Sequence, residues 1–486
     1  MTTSINKTNN QSYLKGFSTL KSEVTNQELE TQGKFPDWLK GTLLRNGPAQ
    51  FEVGNERFQH WFDGLAMVHR LAVEDGKVFY TNKFLQTPGY KDAQATSKIN
   101  VGEFSTNPAR NPFLRLLARL RKKEASPASA DNTNVNVARI DGCYIAMTET
   151  PQPIEFELDS LVTKGVFDYG DELHGQITTA HPLYDPTRKT TYNLLQLLSR
   201  KSYYQFYGIK DGERKRSLIA KIEVAEPTYI HSFTMTANYL ILVEFPLVVR
   251  PIQLMLDLKP FIQNYRWSPE RGTRFTVIDK QTGEVKKVGQ SAAFFAFHHI
   301  NAFERDNEIF LDVAAYNDPK IIEKLRLDSL PKLPDYFTVL PEFRRYRLPL
   351  SQEMNSLDYE VLASQPIELP RINYKQAVAQ DYRYAYGTSL DKNQPPDFDN
   401  RLIKVDTRKA IHKWWVAEGG YPGEPVFVAR PSATVEDDGL LLSVMLDGAA
   451  GHSWLVALEA ASFEEVGRAK IPHIVPFGFH GQFYSR

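Results

Sequence analysis

The chain has a single cysteine, Cys143, in 486 residues. One thiol builds neither a disulfide framework nor a thiolate metal cluster, and it suits a reducing compartment. Net charge is missing as well, since 58 basic residues balance 58 acidic ones. That balance leaves no electrostatic footprint for nucleic acid. Long apolar runs are also absent. The longest, Tyr239–Val249 (YLILVEFPLVV), is interrupted by Glu244 and Pro246 and is too short to span a bilayer. The opening residues MTTSINKTNNQSYLKGF have no apolar core of the kind a secretory signal needs. A cytoplasmic protein is expected, with residues 1–15 disordered and no obligate protein partner.

Strand signals fill the rest. β-Branched and aromatic runs are cut at short intervals by turn residues. One unit recurs: a strand ending in an acid, a polar or glycine-containing turn, then a second strand. It is seen at Asp75 (LAVEDGKVFY), Asp159, Asp211, Asp279 (TVIDKQTGEVKKV), Asp406 and Glu459. One interval is about twice the shorter ones and leaves room for a seventh unit near YEVLASQPIEL. One hairpin per unit at this spacing fits a seven-bladed β-propeller, and a β-sandwich or mixed domain with unrelated hairpins is the alternative. A propeller brings distant innermost strands to one axis.

That matters because of four histidines in apolar surroundings: His181 (TTAHPLYD), His231 (YIHSF), His298 (FFAFHHINAFE) and His480 (PFGFHGQFY). A single histidine is more often a hydrogen-bonded core or surface residue than a ligand. Four that converge, with no cysteine among them, suit a redox-active metal. His299 adjoins His298, and neighbours on a strand face opposite ways, so at most one of them turns to a shared axis. Periodicity does not choose between them. Metal-bound imidazoles usually pass their other N–H to a carboxylate, and Glu149 (AMTETPQP), Glu368 (QPIELPRINY) and Glu424 (GGYPGEPVFV) are candidates.

Helical signal is sparse. Asn111–Ser126 sets Phe113, Leu116, Leu117 and Leu120 among five cationic residues, the pattern of an interfacial membrane helix. A helix packing its leucines on the core gives the same periodicity. Pro246–Trp267 is a second apolar stretch, punctuated by proline.

Read in order, RNGP at Arg45–Pro48, Phe62-Asp63-Gly64, MTET, the AHP and HSF histidines, FHHINAFE, IELPRINY, YPGEPVFV and the terminal GFHG resemble the carotenoid cleavage oxygenase family over nearly the whole chain. The resemblance implies a single domain over 1–486 with inserted cap segments. Its fold would be all-β, a seven-bladed β-propeller with a helical and loop dome over an axial iron site. It implies one Fe(II) per chain held by His181, His231, His298 and His480, with His298 chosen by the Asn301 that follows it at the family's offset. It pairs Glu149, Glu368 and Glu424 with His231, His298 and His480, and leaves His181 without an acidic partner.

The implied reaction is cleavage of a conjugated double bond of a carotenoid or apocarotenoid, with O2 as cosubstrate and two carbonyl products. Similarity to the bacterial 15,15′-oxygenases points to the central bond. Tyr229, Phe294, Phe295, Phe297 and Tyr316 are candidate walls of a polyene tunnel, and Thr148 stands where the stilbene-cleaving branch has lysine. Val135 occupies a position where cleaving members often carry threonine, and valine there resembles the family's retinoid isomerase instead. Cleavage at another bond, isomerisation, stilbene cleavage and a non-catalytic apolar-ligand propeller are the competing readings. Peripheral membrane docking through Phe113, Leu116, Leu117 and Leu120 would give the enzyme access to its substrate.

Overall fold

The computed structural model describes residues 11–108, 131–256, 259–332, 339–394 and 397–486. Seven antiparallel sheets of four to six strands follow one another along the chain as the blades of a propeller. Blade 1 holds Gly41–Gln50, Leu65–Glu74 and Lys77–Phe84. Blades 2 to 6 begin at Asn136, Ile177, Thr234, Phe295 and Glu368, and blade 7 runs from Gly420–Pro422 to Glu464–Ile471.

Both ends of the chain close the ring. The last strand, Gly481–Ser485, pairs with Gly41–Gln50 in register Gly41↔Ser485 and Arg45↔Gly481, which makes it the innermost strand of blade 1. Val24–Glu28 extends blade 1 on its outside, and Thr31–Gly33 extends blade 7 through Thr31↔Ala469. Closure rests on ladder hydrogen bonds, as it must with one cysteine. It also explains two motifs: a Cβ at Gly47 of RNGP would lie 2.5 Å from the Cα of Gly478 in GFHG. Only glycines permit that approach of first and last inner strands.

Six of the seven hairpin units fall on a blade's outer turn. At Asp75-Gly76 both residues have positive φ, +50° and +77°, the two-residue turn that matches strand twist. Blade 5 is the unit that carries no such signal. Its outer strands, Glu342–Pro349 and Tyr359–Val361, are joined by a longer serine-containing connection without an Asp-Gly turn.

One expectation changes. Residues 11–15 are ordered: Ser12–Phe17 is a short 3-10 helix whose Tyr13 is fully buried, donates to Leu330 O at 2.8 Å and stacks on Phe398. Helices are few among the described residues, the longest being the nine-residue Pro88–Thr96. The membrane-docking candidates Phe113, Leu116, Leu117 and Leu120 lie outside the described residues. Among the described residues no helix is long and apolar enough to cross a membrane.

Candidate metal centre

Every blade sends one titratable side chain toward the axis. His480 precedes the innermost strand of blade 1, His181 follows that of blade 3, His231 precedes that of blade 4, and His298 lies within that of blade 5. Blades 2, 6 and 7 supply Glu149, Glu368 and Glu424. The four histidines each offer a ring nitrogen, and these nitrogens all lie within 4.8 Å of one another.

The placement of His298 depends on a local irregularity. Along Phe295–Arg305 the pairing runs Ala296↔Ala315, then His299↔Val313, then Asn301↔Asp312, so two extra residues are inserted on the inner strand. Bulges re-aim side chains. Here Phe297 and His298 both face the central cavity, while His299 turns away and bonds Ser232 Oγ through Nδ1 at 2.8 Å. His298 is the member of the pair that joins the cluster.

Each carboxylate fixes one ring. Glu149 bonds His231 Nδ1 at 2.7 Å, Glu368 bonds His298 Nδ1 at 2.6 Å, and Glu424 bonds His480 Nδ1 at 2.8 Å. Among the described residues no carboxylate bonds His181. With the Nδ1 protons committed, bare Nε2 lone pairs point inward. His181 Nε2 lies 3.0 Å from His231 Nε2, and His298 Nε2 lies 3.2 Å from His480 Nε2. The facing lone pairs of His298 and His480, both with Nδ1 on a carboxylate, cannot satisfy one another at that range. Two imidazoles bound at about 2.1 Å to one ion and at right angles place their nitrogens about 3 Å apart. The donor set fits a metal cation.

Burial favours the neutral ligand form at three of the imidazoles. Burial holds His181 and His231 below the ordinary range, and it brings His480 down to about 4 against the pull of Glu424. Burial opposes ionisation of Glu424, yet Arg371, His480 and Arg45 hold it well below the usual carboxylate range. His298, Tyr316 and the Leu369 N–H do the same for Glu368. Leu369 adopts φ +44°, a strained conformation that lets its N–H reach the Glu368 carboxylate at 2.8 Å.

Above the histidines lies a cavity of about 750 Å³, walled by Trp61, Phe62, Phe104, Phe297, Tyr316 and Phe479. Val135 and Thr148 line it. Tyr229 does not. Its hydroxyl donates to Glu149 at 2.6 Å and its ring packs behind Phe104, so it holds a carboxylate instead of lining a tunnel. Tyr316 serves both ways, lining the cavity and donating to Glu368 at 2.7 Å. Phe294 and Phe295 pack in the core, Phe294 stacked on Tyr346 and Phe295 against Phe245. Arg45 and Arg371, which clasp Glu424, stand inside RNGP and PRINY, but no neighbour within either motif marks them as site residues.

A family model described as retinal pigment epithelial membrane protein matches residues 17–485. The chain belongs to this family, the carotenoid cleavage oxygenases. It is 34% identical to the mitochondrial carotenoid-cleaving dioxygenase of Macaca fascicularis, over 93% of this chain and 90% of that protein. It is 33% identical to the chloroplastic carotenoid cleavage dioxygenase 8 of Arabidopsis thaliana, over 96% and 84%. A solved Synechocystis apocarotenoid oxygenase variant superposes with a TM-score of 0.87 at 26% identity, covering 98% of this chain and 99% of that one. This oxygenase therefore shares its propeller with enzymes that act on carotenoids.

Proposed function

We propose that this oxygenase is a non-haem Fe(II) dioxygenase that cleaves a carotenoid or apocarotenoid at the central 15,15′ double bond, giving retinal-type aldehydes. The observation that carries the reading is the convergence of four imidazoles beneath a largely apolar cavity. Four uncharged ligands leave an iron its full positive charge. When bound, Fe(II) supplies the activation of O2 toward an electron-rich alkene. The reaction balances without a reductant: one C=C bond breaks and each carbon takes one oxygen atom of O2. His181, His231, His298 and His480 are the proposed ligands, and a solved form of the similar Synechocystis enzyme is cobalt-substituted, which supports a metal-dependent relative.

The protein's share is placement and exclusion of water. Aromatic walls hold a rigid polyene with little loss of freedom, and the carboxylates keep three imidazoles turned inward. The central bond is favoured by Thr148 beside Glu149 and by similarity to the β,β-carotene 15,15′-dioxygenase of Gallus gallus, 29% identical over 93% of this chain. Val135 favours a second reading, an isomerase-like or off-centre reaction. It lines the cavity and its carbonyl accepts from the His480 N–H at 3.1 Å. Incubating the iron-loaded protein with β-carotene and a series of apocarotenals, then weighing the aldehydes by mass spectrometry, separates these. Products of the 15,15′ cut are expected; aldehydes of other lengths, or a geometric isomer of the input, contradict the central bond.

The substrate's home is a membrane, and the cavity wall includes Pro251 and Leu254 of a short helix whose Ile252 is 57% exposed. Peripheral docking there, together with Phe113, Leu116, Leu117 and Leu120, gives the polyene a dry path. Replacing Leu116, Leu117 and Leu120 by serine is expected to abolish sedimentation with liposomes, and undiminished sedimentation refutes the docking role of that segment.

A further inference from the structure

The cavity lining carries polar side chains among its apolar ones, and one carboxyl stands apart from the histidine cluster. Asp399 lines the cavity beside Tyr316, Leu369, Phe398 and Phe477. Its Oδ2 accepts from Thr388 Oγ1 at 2.9 Å, and Thr388 also lines the cavity. Thr388 sits opposite Glu368 in blade 6, and its hydroxyl is also 3.3 Å from the Glu368 carbonyl, so its single proton is shared between two acceptors.

Among the described residues, no lysine or arginine comes within ion-pair distance of Asp399. Arg401, two residues on, pairs with Asp391, and Arg371 pairs with Glu424. A carboxyl in an apolar wall with one hydroxyl and no cation resists ionisation. Burial pushes Asp399 up to about 7, against the Thr388 bond and with the help of the Glu368 and Asp397 charges. Unlike the three glutamates, no histidine claims it.

We propose that Thr388 and Asp399 form a polar subsite that selects an oxygen-bearing polyene, a carotenoid alcohol or aldehyde, over the hydrocarbon. An un-ionised carboxyl donates to a carbonyl and accepts from a hydroxyl. A hydrocarbon laid against it leaves that capacity unmet, and sites built to bond a polar group reject analogues that lack it. The inference rests on the polyene-binding reading of the cavity and refines it from any carotenoid to oxygenated ones.

The test is binding, separate from turnover. Iron-loaded protein under argon is titrated with an apocarotenal, the matching apocarotenol and a hydrocarbon polyene of equal length, following quenching of tryptophan fluorescence, to which the cavity residue Trp61 contributes. The wild type is expected to hold at least one oxygenated probe about tenfold tighter than the hydrocarbon. Preference for the aldehyde marks Asp399 as donor, and preference for the alcohol marks it as acceptor. Asp399→Leu and Thr388→Val should each bring the ratio toward one, while Asp399→Asn, which keeps a donor and an acceptor, should retain most of it. Equal affinities in the wild type, or equal losses for all probes in both variants, overturn the subsite. If the wild type binds none of the three, the polyene reading itself falls and the subsite falls with it.

Discussion

Replacing His298 by alanine is expected to give a folded propeller that neither retains iron nor cleaves a polyene. The fold should survive because the change leaves only part of one polar network unmet. Glu368 keeps the Tyr316 hydroxyl and the Leu369 N–H after losing the imidazole. An unmet buried group costs about 1–3 kcal/mol, against a total of about 5–15 kcal/mol for a stable domain. The site has no such reserve. Losing the partner behind a ligand typically weakens metal binding about 10–100-fold, and loss of the ligand itself should exceed that. Iron retained after gel filtration, aldehyde formation and circular dichroism read the three expectations separately. Turnover preserved in the variant would remove His298 from the ligand set.

Glu424→Ala should fail differently, by lowering stability as well as metal affinity. Glu424 is fully buried between Arg45 and Arg371, which are themselves 4% and 6% exposed. It also accepts the Gly481 N–H at 2.9 Å, on the strand that closes the ring. Removing the anion leaves buried guanidinium charge uncompensated, a cost of about 3–5 kcal/mol. Glu149→Ala is the control, because among the described residues the Glu149 carboxylate bonds the Tyr229 and His231 side chains and pairs with no arginine. Metal-free Glu424→Ala should therefore unfold well before metal-free Glu149→Ala in a denaturant titration. The sign with pH follows from the depressed Glu424 carboxyl. Its contribution is complete above the unfolded value of about 4.3 and is lost as pH falls, so the two variants should converge in strong acid. Coincident midpoints at pH 7 would mean that the buried ion cluster adds nothing to closure.

The parts of this site that were legible in the sequence are those that chemistry fixes by residue type. Histidines in apolar strands and glutamates in strand-like settings stand out because burial of such groups requires a partner. Hairpin turns were legible where Asp and Gly supply positive φ, as at Asp75-Gly76, and invisible in blade 5, where a longer loop makes the same turn. Period-two reasoning could say that one of His298 and His299 faces the axis, but a bulge changes the count without changing composition. Tyr229 was misread because aromatic content does not reveal where a hydroxyl points. Tyr13 was missed because one buried ring in a polar leader leaves no periodic trace. Arg45 and Arg371 lay inside recognisable motifs, yet only the fold brings them to Glu424.

The iron content of the wild-type protein prepared without oxygen tests the metal centre most directly. Close to one Fe(II) per chain is expected, retained through gel filtration at pH 7, where burial favours the neutral form of His181, His231 and His480. Less than about half an equivalent under those conditions would contradict the metal centre and leave a propeller that only binds apolar ligands.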